Sequence, residues 1–260
     1  MARKTGAAAL ILIGGMAAEA VAQSTIPPSS PLESGRAALA GHDPTSAITY
    51  FSQVDSPEGR EWLAVALMME SRSPSDAYVE RAYEAARRSR VAPPEPTESR
   101  AAIAQSLQPG DMVIAFMVGA AHAYGWAFDR DAFVGYPLPS PAEIAAAVER
   151  AGAYIARQDR DGLTRITVDF IPALLGPATQ RLPAVTRLIL VADGPLRQLP
   201  FADLNIDGVD EIQTADFASL SQVIARPRSA PGGRLPIVPV AIGVVVTILL
   251  VAGGVALRRS

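Results

Sequence analysis

The chain has 260 residues, a formal net charge of -3 and no cysteine. A chain without cysteine has no disulfide, no thiolate metal site and no cysteine nucleophile of its own. Lysine and arginine are scattered along the sequence, so no basic patch indicates a nucleic-acid partner. Both ends of the chain are strongly apolar, and we therefore expect the membrane to be a partner.

Residues 1–22 have the layout of a secretory signal peptide. Arg3 and Lys4 precede an apolar run at 7–18, and the small-residue triplet Ala-Val-Ala follows at 20–22. Positive charge, apolar run and small-residue site in this order are typical of a cleaved leader. We expect cleavage after this segment, and the alternative is an uncleaved N-terminal anchor.

Residues 32–90 carry helical patterns. A break at Gly41–Pro44 separates two short helices, and 57–71 and 74–90 predict a second pair, each opened by a proline. The stretch 41–51 is similar to the second half of a tetratricopeptide repeat, with two repeats at most, and a plain helical hairpin is the alternative. Two repeats at most cannot bury their own apolar faces. We therefore expect this segment to pack on the next domain or on a partner protein.

The sequence VAPPEPTES at 91–99 has three prolines and two glutamates and predicts an extended linker between domains. After it the hydrophobic period changes from 3.6 to 2. Three short apolar stretches within 110–139 predict an antiparallel meander. Ser140, followed by Pro141 and an acidic residue at Glu143, predicts the start of a helix that runs to about Gln158.

The second half of the α/β region, which we place at 100–225, predicts further alternation of helix and strand. Residues 164–175 predict a helix that ends near Gly176. The continuous apolar run 187–192 predicts a strand covered on both faces. Residues 210–223 predict an edge strand and a last short helix, before a second linker at 226–236.

A resemblance lies in the stretch RLILVADGPLRQLPFADL, residues 187–204. A strand ends in an Asp-Gly turn, followed by a hydrophobic, Pro-Phe and Leu pattern. With the order of elements around it, this pattern resembles the N-terminal part of the CHAT family, caspase-like domains that often follow tetratricopeptide repeats. The match covers about 110–223. Its pattern residues are Asp193, Gly194, Leu196, Pro200, Phe201 and Leu204.

The resemblance implies an α/β fold, a truncated caspase-like module preceded by a short helical repeat-like segment. In the family, peptidase activity belongs to a histidine and a cysteine on later strands, which the matched part does not include. His42 and His122 both precede the strand that ends at Asp193, so neither carries over as the catalytic histidine. We therefore expect no peptidase activity from this chain.

The spacing of the other candidate site residues gives little support for a catalytic or metal site. Ser219 and Ser221 are hydroxyl nucleophiles without a histidine nearby in sequence, and a capping or surface role is expected for them. His122 is followed by Asp129 and Asp131, but this spacing matches no metal motif. We predict no catalytic residue, no metal ligand and no cofactor.

Asp193 allows two interpretations. It ends a buried strand, which is where open α/β sheets bind ligands. Alternatively, it turns the chain and accepts backbone N–H bonds, while Gly194 supplies flexibility and Pro195 fixes the next φ. We expect the structural role.

Residues 237–257 are 21 consecutive uncharged residues. As a helix they span about 32 Å, close to the hydrocarbon thickness of a bilayer. Arg258 and Arg259 follow, and with a cleaved leader they place the body of the protein on the outer side of the cell membrane. We predict a single-pass transmembrane helix; the alternative is a bacterial sorting tail that a membrane protease removes.

These inferences together predict a membrane-anchored, non-catalytic interaction or regulatory protein. Its partner is a protein, bound through the helical segment or the α/β module. The alternative is the non-catalytic half of a split or truncated caspase-like cysteine peptidase.

Overall fold

The structure, a computed structural model, describes residues 30–92, 98–201, 206 and 209–227. The predicted signal peptide 1–22, the predicted transmembrane segment 237–257 and most of the linker 226–236 lie outside the described residues, as do residues 93–97 of the linker 91–99. Among the described helices, none has both the length and the apolar character needed to cross a bilayer.

The described chain is mixed α/β. Its helices are α1 (Pro31–Ala40), α2 (Pro44–Phe51), α3 (Pro57–Glu70), α4 (Ala77–Arg90), α5 (Arg100–Ser106), α6 (Pro141–Ala156), α7 (Arg160–Asp169), α8 (Ile171–Leu175) and α9 (Leu220–Ile224). Its strands are β1 (Asp111–Val118), β2 (Ala123–Phe128), β3 (Phe133–Pro137), β4 (Arg187–Val191) and β5 (Glu211–Ala215). Two 3₁₀ segments span Gly176–Ala184 and Gly194–Gln198.

The strands form one five-stranded sheet in the order β3-β2-β1-β4-β5. β1, β2 and β3 pair antiparallel, which confirms the predicted meander. β4 pairs parallel to both β1 and β5, with Arg187 level with Asp111 on one side and Glu211 on the other. The predicted interior strand and edge strand are therefore confirmed as β4 and β5.

Helices cover both faces of the sheet, because the interior strands are apolar on both sides. Along β1, alternate side chains point to opposite faces. Val113 and Met117 belong to the core on the side of α1–α5 and α9. Ile114 and Phe116 belong to the core on the side of α6–α8 and the 3₁₀ segments. The result is a three-layer arrangement with the sheet in the middle.

The helical segment packs on the sheet, as expected for an array too short to bury its own apolar faces. Tyr83 of α4 is fully buried and meets the rings of Trp126 and Phe128 on β2, with centroids 6.0 and 5.6 Å away. Phe133 and Phe217 complete this aromatic cluster at 6.0 and 6.2 Å. The segment 32–90 and the strands thus share one hydrophobic core.

Helix boundaries follow the capping residues. At α6, the Ser140 hydroxyl accepts the N–H of Glu143 and the Glu143 carboxylate accepts the N–H of Ser140, so the predicted start is confirmed as a capping box. The proline expected to open α4 lies before the helix. Asp76 caps that helix instead, and its carboxylate accepts the N–H groups of Tyr78 and Val79.

The predicted helix 164–175 is wrong in its bounds. The structure has α7, which begins at Arg160 after the cap Asp159, and then a separate α8. Pro172 lies in the first turn of α8 and has no N–H to continue the preceding hydrogen-bond ladder, which explains the break. Helix α5 was not predicted from the sequence, although Ser99 caps it as a serine N-cap should.

Candidate functional site at the carboxyl edge of the sheet

The carboxyl ends of β1 and β4 form the natural place for a site. These parallel neighbours are the point where the topology divides: β2 and β3 lie on one side and β5 on the other. In open α/β sheets, ligands bind in the crevice at such a position. Val118 ends β1 here, and Asp193 follows β4 after Ala192.

Asp193 is buried at this edge, with a side-chain exposure of 6%. Its Oδ2 accepts the Val118 N–H and the Arg90 Nε–H, both at 2.9 Å. The sequence interpretation is therefore right in that a backbone N–H donates to Asp193, but the donor belongs to another strand. The 3₁₀ segment that starts at Gly194 receives no side-chain cap from Asp193.

Arg90 joins Asp193 to the helical segment. It lies at the end of α4, and its Nη1 donates to Oε2 of Glu61 on α3 at 2.7 Å. Burial by itself lowers the pKa of Arg90, but the charges of Asp193 and Glu61 outweigh this and raise the pKa. We call Glu61, Arg90 and Asp193 the Asp193 cluster. It is a charge network of fixed geometry between α3, α4 and the sheet.

Two glycines allow the backbone to approach the Asp193 cluster. Gly194 has φ +53°, a left-handed conformation that favours glycine and turns the chain directly after Asp193. Gly119, which follows β1, leaves no space for a Cβ because Glu61 Oε1 occupies that position. A Cβ at Gly119 would push the Glu61 carboxylate aside, whereas a side chain at Gly194 would strain the backbone.

His122 lies at the same edge, in the turn between β1 and β2. Its ring stacks on Tyr124 with centroids 6.5 Å apart and meets the edge of Trp62 at 6.2 Å. His42 lies elsewhere in the chain, in the turn between α1 and α2, where it has φ +60°. Within the described residues, neither histidine hydrogen-bonds a serine hydroxyl.

The remaining candidate residues have local structural partners. The Ser219 hydroxyl accepts the Asp216 N–H at 3.1 Å, and the Asp216 carboxylate accepts the Ser219 N–H at 2.7 Å. The Ser219 hydrogen bond is the main cause that lowers the pKa of Asp216. The Ser221 hydroxyl donates to Glu98. Both serines therefore stabilise the start of α9 and its neighbourhood.

His122, Asp129 and Asp131 do not come together. His122 immediately precedes β2, and the two aspartates follow the other end of the same strand. A strand of this length separates them by about 20 Å. Across the part of the chain that the structure describes, no three His, Asp or Glu side chains are grouped to share a metal ion.

Sequence analysis missed a buried ion pair at the opposite, amino edge of the sheet. Arg187 and Asp111 are level in the register of β4 and β1, with side-chain exposures of 1% and 0%. Arg187 Nε donates to Asp111 Oδ1 at 3.0 Å, and its Nη2 donates to Oδ2 at 2.5 Å. The third guanidinium nitrogen, Nη1, donates to the Arg226 carbonyl at 3.1 Å. The available signal was one charged residue at the start of each apolar strand.

A cavity of about 350 Å³ opens at the carboxyl edge beside the Asp193 cluster, between β4 and β5. Leu196 and Phe201 form its apolar wall, and Asp216 lies at its polar side. Arg197 lies at its mouth with 57% of the side chain exposed and is 3.9 Å from Asp193. A larger cavity of about 650 Å³ at the amino edge is lined by polar residues of both charges.

No family model, curated protein or solved structure matches this chain.

Proposed function

We propose that the protein is a membrane-anchored, non-catalytic interaction or regulatory protein, in which a partial CHAT-like α/β module and a helical repeat-like segment form one binding body. The residues 187–204 and the order of elements around them support the CHAT-like assignment. The parallel β1-β4-β5 half of the sheet and the meander beside it are compatible with a partial caspase-like fold.

The non-catalytic interpretation depends on one observation. The charged side chains at the carboxyl edge form ion pairs and hydrogen bonds that hold helices and strands together. Asp193 accepts hydrogen bonds from Val118 and Arg90, and Arg90 is held by Glu61. A nucleophilic mechanism needs a nucleophile and a base within hydrogen-bonding reach. In the described residues, His122 is held against aromatic rings at this edge instead.

The membrane part of the proposal depends on the sequence. Residues 237–257 are uncharged over a bilayer-spanning length, and 1–22 have the order of a cleaved leader. Arg258 and Arg259 then remain in the cytoplasm, while the described body faces outward. A protein partner on the outer side would meet the helical segment or the carboxyl edge.

Peptidase activity tests the non-catalytic assignment. Full-length protein in mild detergent is incubated with a broad peptide library, and cleavage is read by mass spectrometry. We expect no cleavage. Cleavage that Ser219→Ala or His122→Ala removes would contradict the proposal. Cleavage only after the product of the adjacent reading frame is added would favour the split-peptidase alternative.

Alkaline carbonate extraction tests the anchor. Full-length protein is expected to stay with the membrane pellet, because a 21-residue uncharged segment is not left in water. The matched control is a chain that stops before Ile237, which we expect in the supernatant. Full-length protein with an intact C-terminus in the supernatant would remove the membrane from the proposal.

A further inference from the structure

The chain leaves the folded body at the amino edge of the sheet. After α9, the Arg226 carbonyl accepts the Nη1–H of Arg187 at 3.1 Å. The Ile224 carbonyl accepts from Nη2 of the same guanidinium at 3.4 Å. Arg187 begins β4 and pairs with Asp111 at the start of β1. The buried ion pair therefore holds the point from which the chain continues toward the predicted membrane segment.

The turn between β2 and β3 lies at the same edge. β2 runs antiparallel to β1, so residues 129–132, which follow its end, lie near the start of β1. Gly110 and Asp131 accordingly line the same cavity of about 650 Å³. The turn 119–122 lies at the other end of β2, at the carboxyl edge with the Asp193 cluster. The length of β2 separates the two turns by about 20 Å.

The connection from the body to the predicted membrane segment is short. Residues 228–236 span at most about 30 Å, even when fully extended. The sheet is about 23 Å long along β1, and turns lengthen the body at both edges. With the carboxyl edge on the membrane, the connection would have to run along the whole body at nearly full extension. Full extension costs a chain most of its conformational freedom, so the amino edge is favoured.

The charges at the amino edge do not oppose a lipid surface. Arg181 pairs with Asp129 across the cavity, and Arg187 pairs with Asp111 beside it. Equal numbers of acidic and basic side chains line or adjoin this cavity: Asp111, Asp129 and Asp131, and Arg130, Arg181 and Arg187. Arg226 is exposed at the exit of the chain. Anionic headgroups therefore meet no excess of negative charge at the cavity.

We propose that the amino edge of the sheet is the membrane-facing surface of the body. Its partner is the surface of the lipid bilayer that holds residues 237–257, so the inference rests on the proposed anchor. The carboxyl edge is then turned away from the lipid. The Asp193 cluster and the cavity of about 350 Å³ beside it face the outer solution, where a protein partner reaches them without displacing lipid.

Energy transfer from single sites to the lipid tests this orientation. Ala132→Cys and Ala121→Cys are a matched pair, because each replaces an exposed alanine in a turn at one end of β2, and the chain has no other cysteine. Each full-length variant carries one donor dye and is reconstituted into phosphatidylcholine vesicles with acceptor-labelled headgroups in both leaflets. We expect stronger quenching at 132, equivalent to a distance from the lipid surface about 20 Å shorter than at 121. Equal quenching, or stronger quenching at 121, would overturn the proposal.

The anchor and the short connection are tested with the same proteins. Protein that does not float with the vesicles would contradict the anchor and the orientation together, whereas floating protein with equal quenching contradicts the orientation alone. In a further pair of variants, a Gly-Ser linker of about 40 residues replaces 228–236. We expect the difference in quenching between the two positions to fall about 2-fold or more, because the longer linker lets the body rotate. An unchanged difference would contradict the short connection as its cause.

Discussion

Asp193 is the residue whose role changes most between sequence and structure. The sequence suggests a local turn, for which loss of the side chain costs about 1 kcal/mol. The structure places it in a buried pair with Arg90, with Val118 as a second donor. Removal of one member of such a pair leaves the other member buried and only partly compensated.

We therefore expect Asp193→Ala to lower the free energy of unfolding by about 2–3 kcal/mol. Asp193→Asn keeps an acceptor for the Val118 N–H and is expected to cost less. Urea unfolding of the full-length protein in mild detergent, followed by tryptophan fluorescence, gives the values. The control Asp131→Ala removes the same group from an exposed turn and is expected to change stability by less than about 0.5 kcal/mol. Equal effects of Asp193→Ala and the control would contradict the structural role.

The pair of Arg187 and Asp111 is expected to behave as one unit. Arg187→Met alone leaves the buried Asp111 carboxylate without the guanidinium charge and should cost about 3–5 kcal/mol. Adding Asp111→Leu removes that carboxylate and should recover much of the loss, since apolar replacement of a buried pair is commonly tolerated. A double-mutant cycle in the same urea experiment measures the coupling, and additive losses would contradict it.

Between helices, Asp76 organises the turn from α3 to α4. Its carboxylate accepts N–H groups of Arg72 and Ser73 before the helix and of Tyr78 and Val79 within it. Burial alone would raise the pKa of Asp76, but these backbone donors outweigh it and the pKa is lowered. The ionised form therefore stabilises the fold.

This pKa shift fixes the direction of a pH effect. A carboxylate with a lowered folded pKa contributes stability above its unfolded pKa, and the contribution is lost as pH falls through the folded pKa. We expect Asp76→Ala to cost about 1 kcal/mol at neutral pH, and the difference from wild type to shrink as pH falls below about 4. Urea unfolding across this range tests it, with Asp131→Ala as the control. A difference that is constant with pH would show that the charge is irrelevant.

Elements with strong local signals could be predicted from the sequence, while elements that depend on distant contacts could not. The capping box at Ser140 and the apolar run of β4 are signals in consecutive residues, and both elements are where they were expected. Helix α5 begins directly after the linker and has only seven residues, so its amphipathic repeat is too short to detect in the sequence. The break before Pro172 follows from a signal in the sequence, because proline has no N–H to continue a helix.

The candidate site was predictable only in its location. The carboxyl end of β4 marked Asp193, but its partners Arg90 and Glu61 are distant in sequence, and the hydrogen bond between Arg90 and Asp193 spans 103 positions. The same limit applies to Arg187 and Asp111, which are 76 positions apart. A local sequence pattern does not indicate which distant charged residues pair. The partners of Asp193 and Arg187 are therefore identified only in the folded structure.

At the level of the complete body, the helical segment and the sheet are joined in two ways. Tyr83 lies among rings of the strands in a shared apolar core. Arg90 ties the end of α4 to the carboxyl edge through Asp193. The end of α4 and the carboxyl edge of the sheet are therefore joined both by the shared core and by the charge network.

The two tryptophans report this connection, because one lies in each part. Trp62 on α3 stacks on Phe51 at 6.1 Å, and Trp126 on β2 is fully buried beside Tyr83. In Trp62→Phe only Trp126 emits, and in Trp126→Phe only Trp62 emits. If 32–90 and 100–225 unfold as one cooperative unit, tryptophan fluorescence and far-ultraviolet circular dichroism give the same urea midpoint in each of these variants. We expect coincident transitions within each variant, since the shared core leaves neither part a separate apolar interior. Comparison within a variant also removes the effect of the substitution itself on stability. A Trp62 transition that precedes the loss of strand signal in Trp126→Phe would show that the helical segment is an independent domain and that the linker at 91–99 separates two folding units.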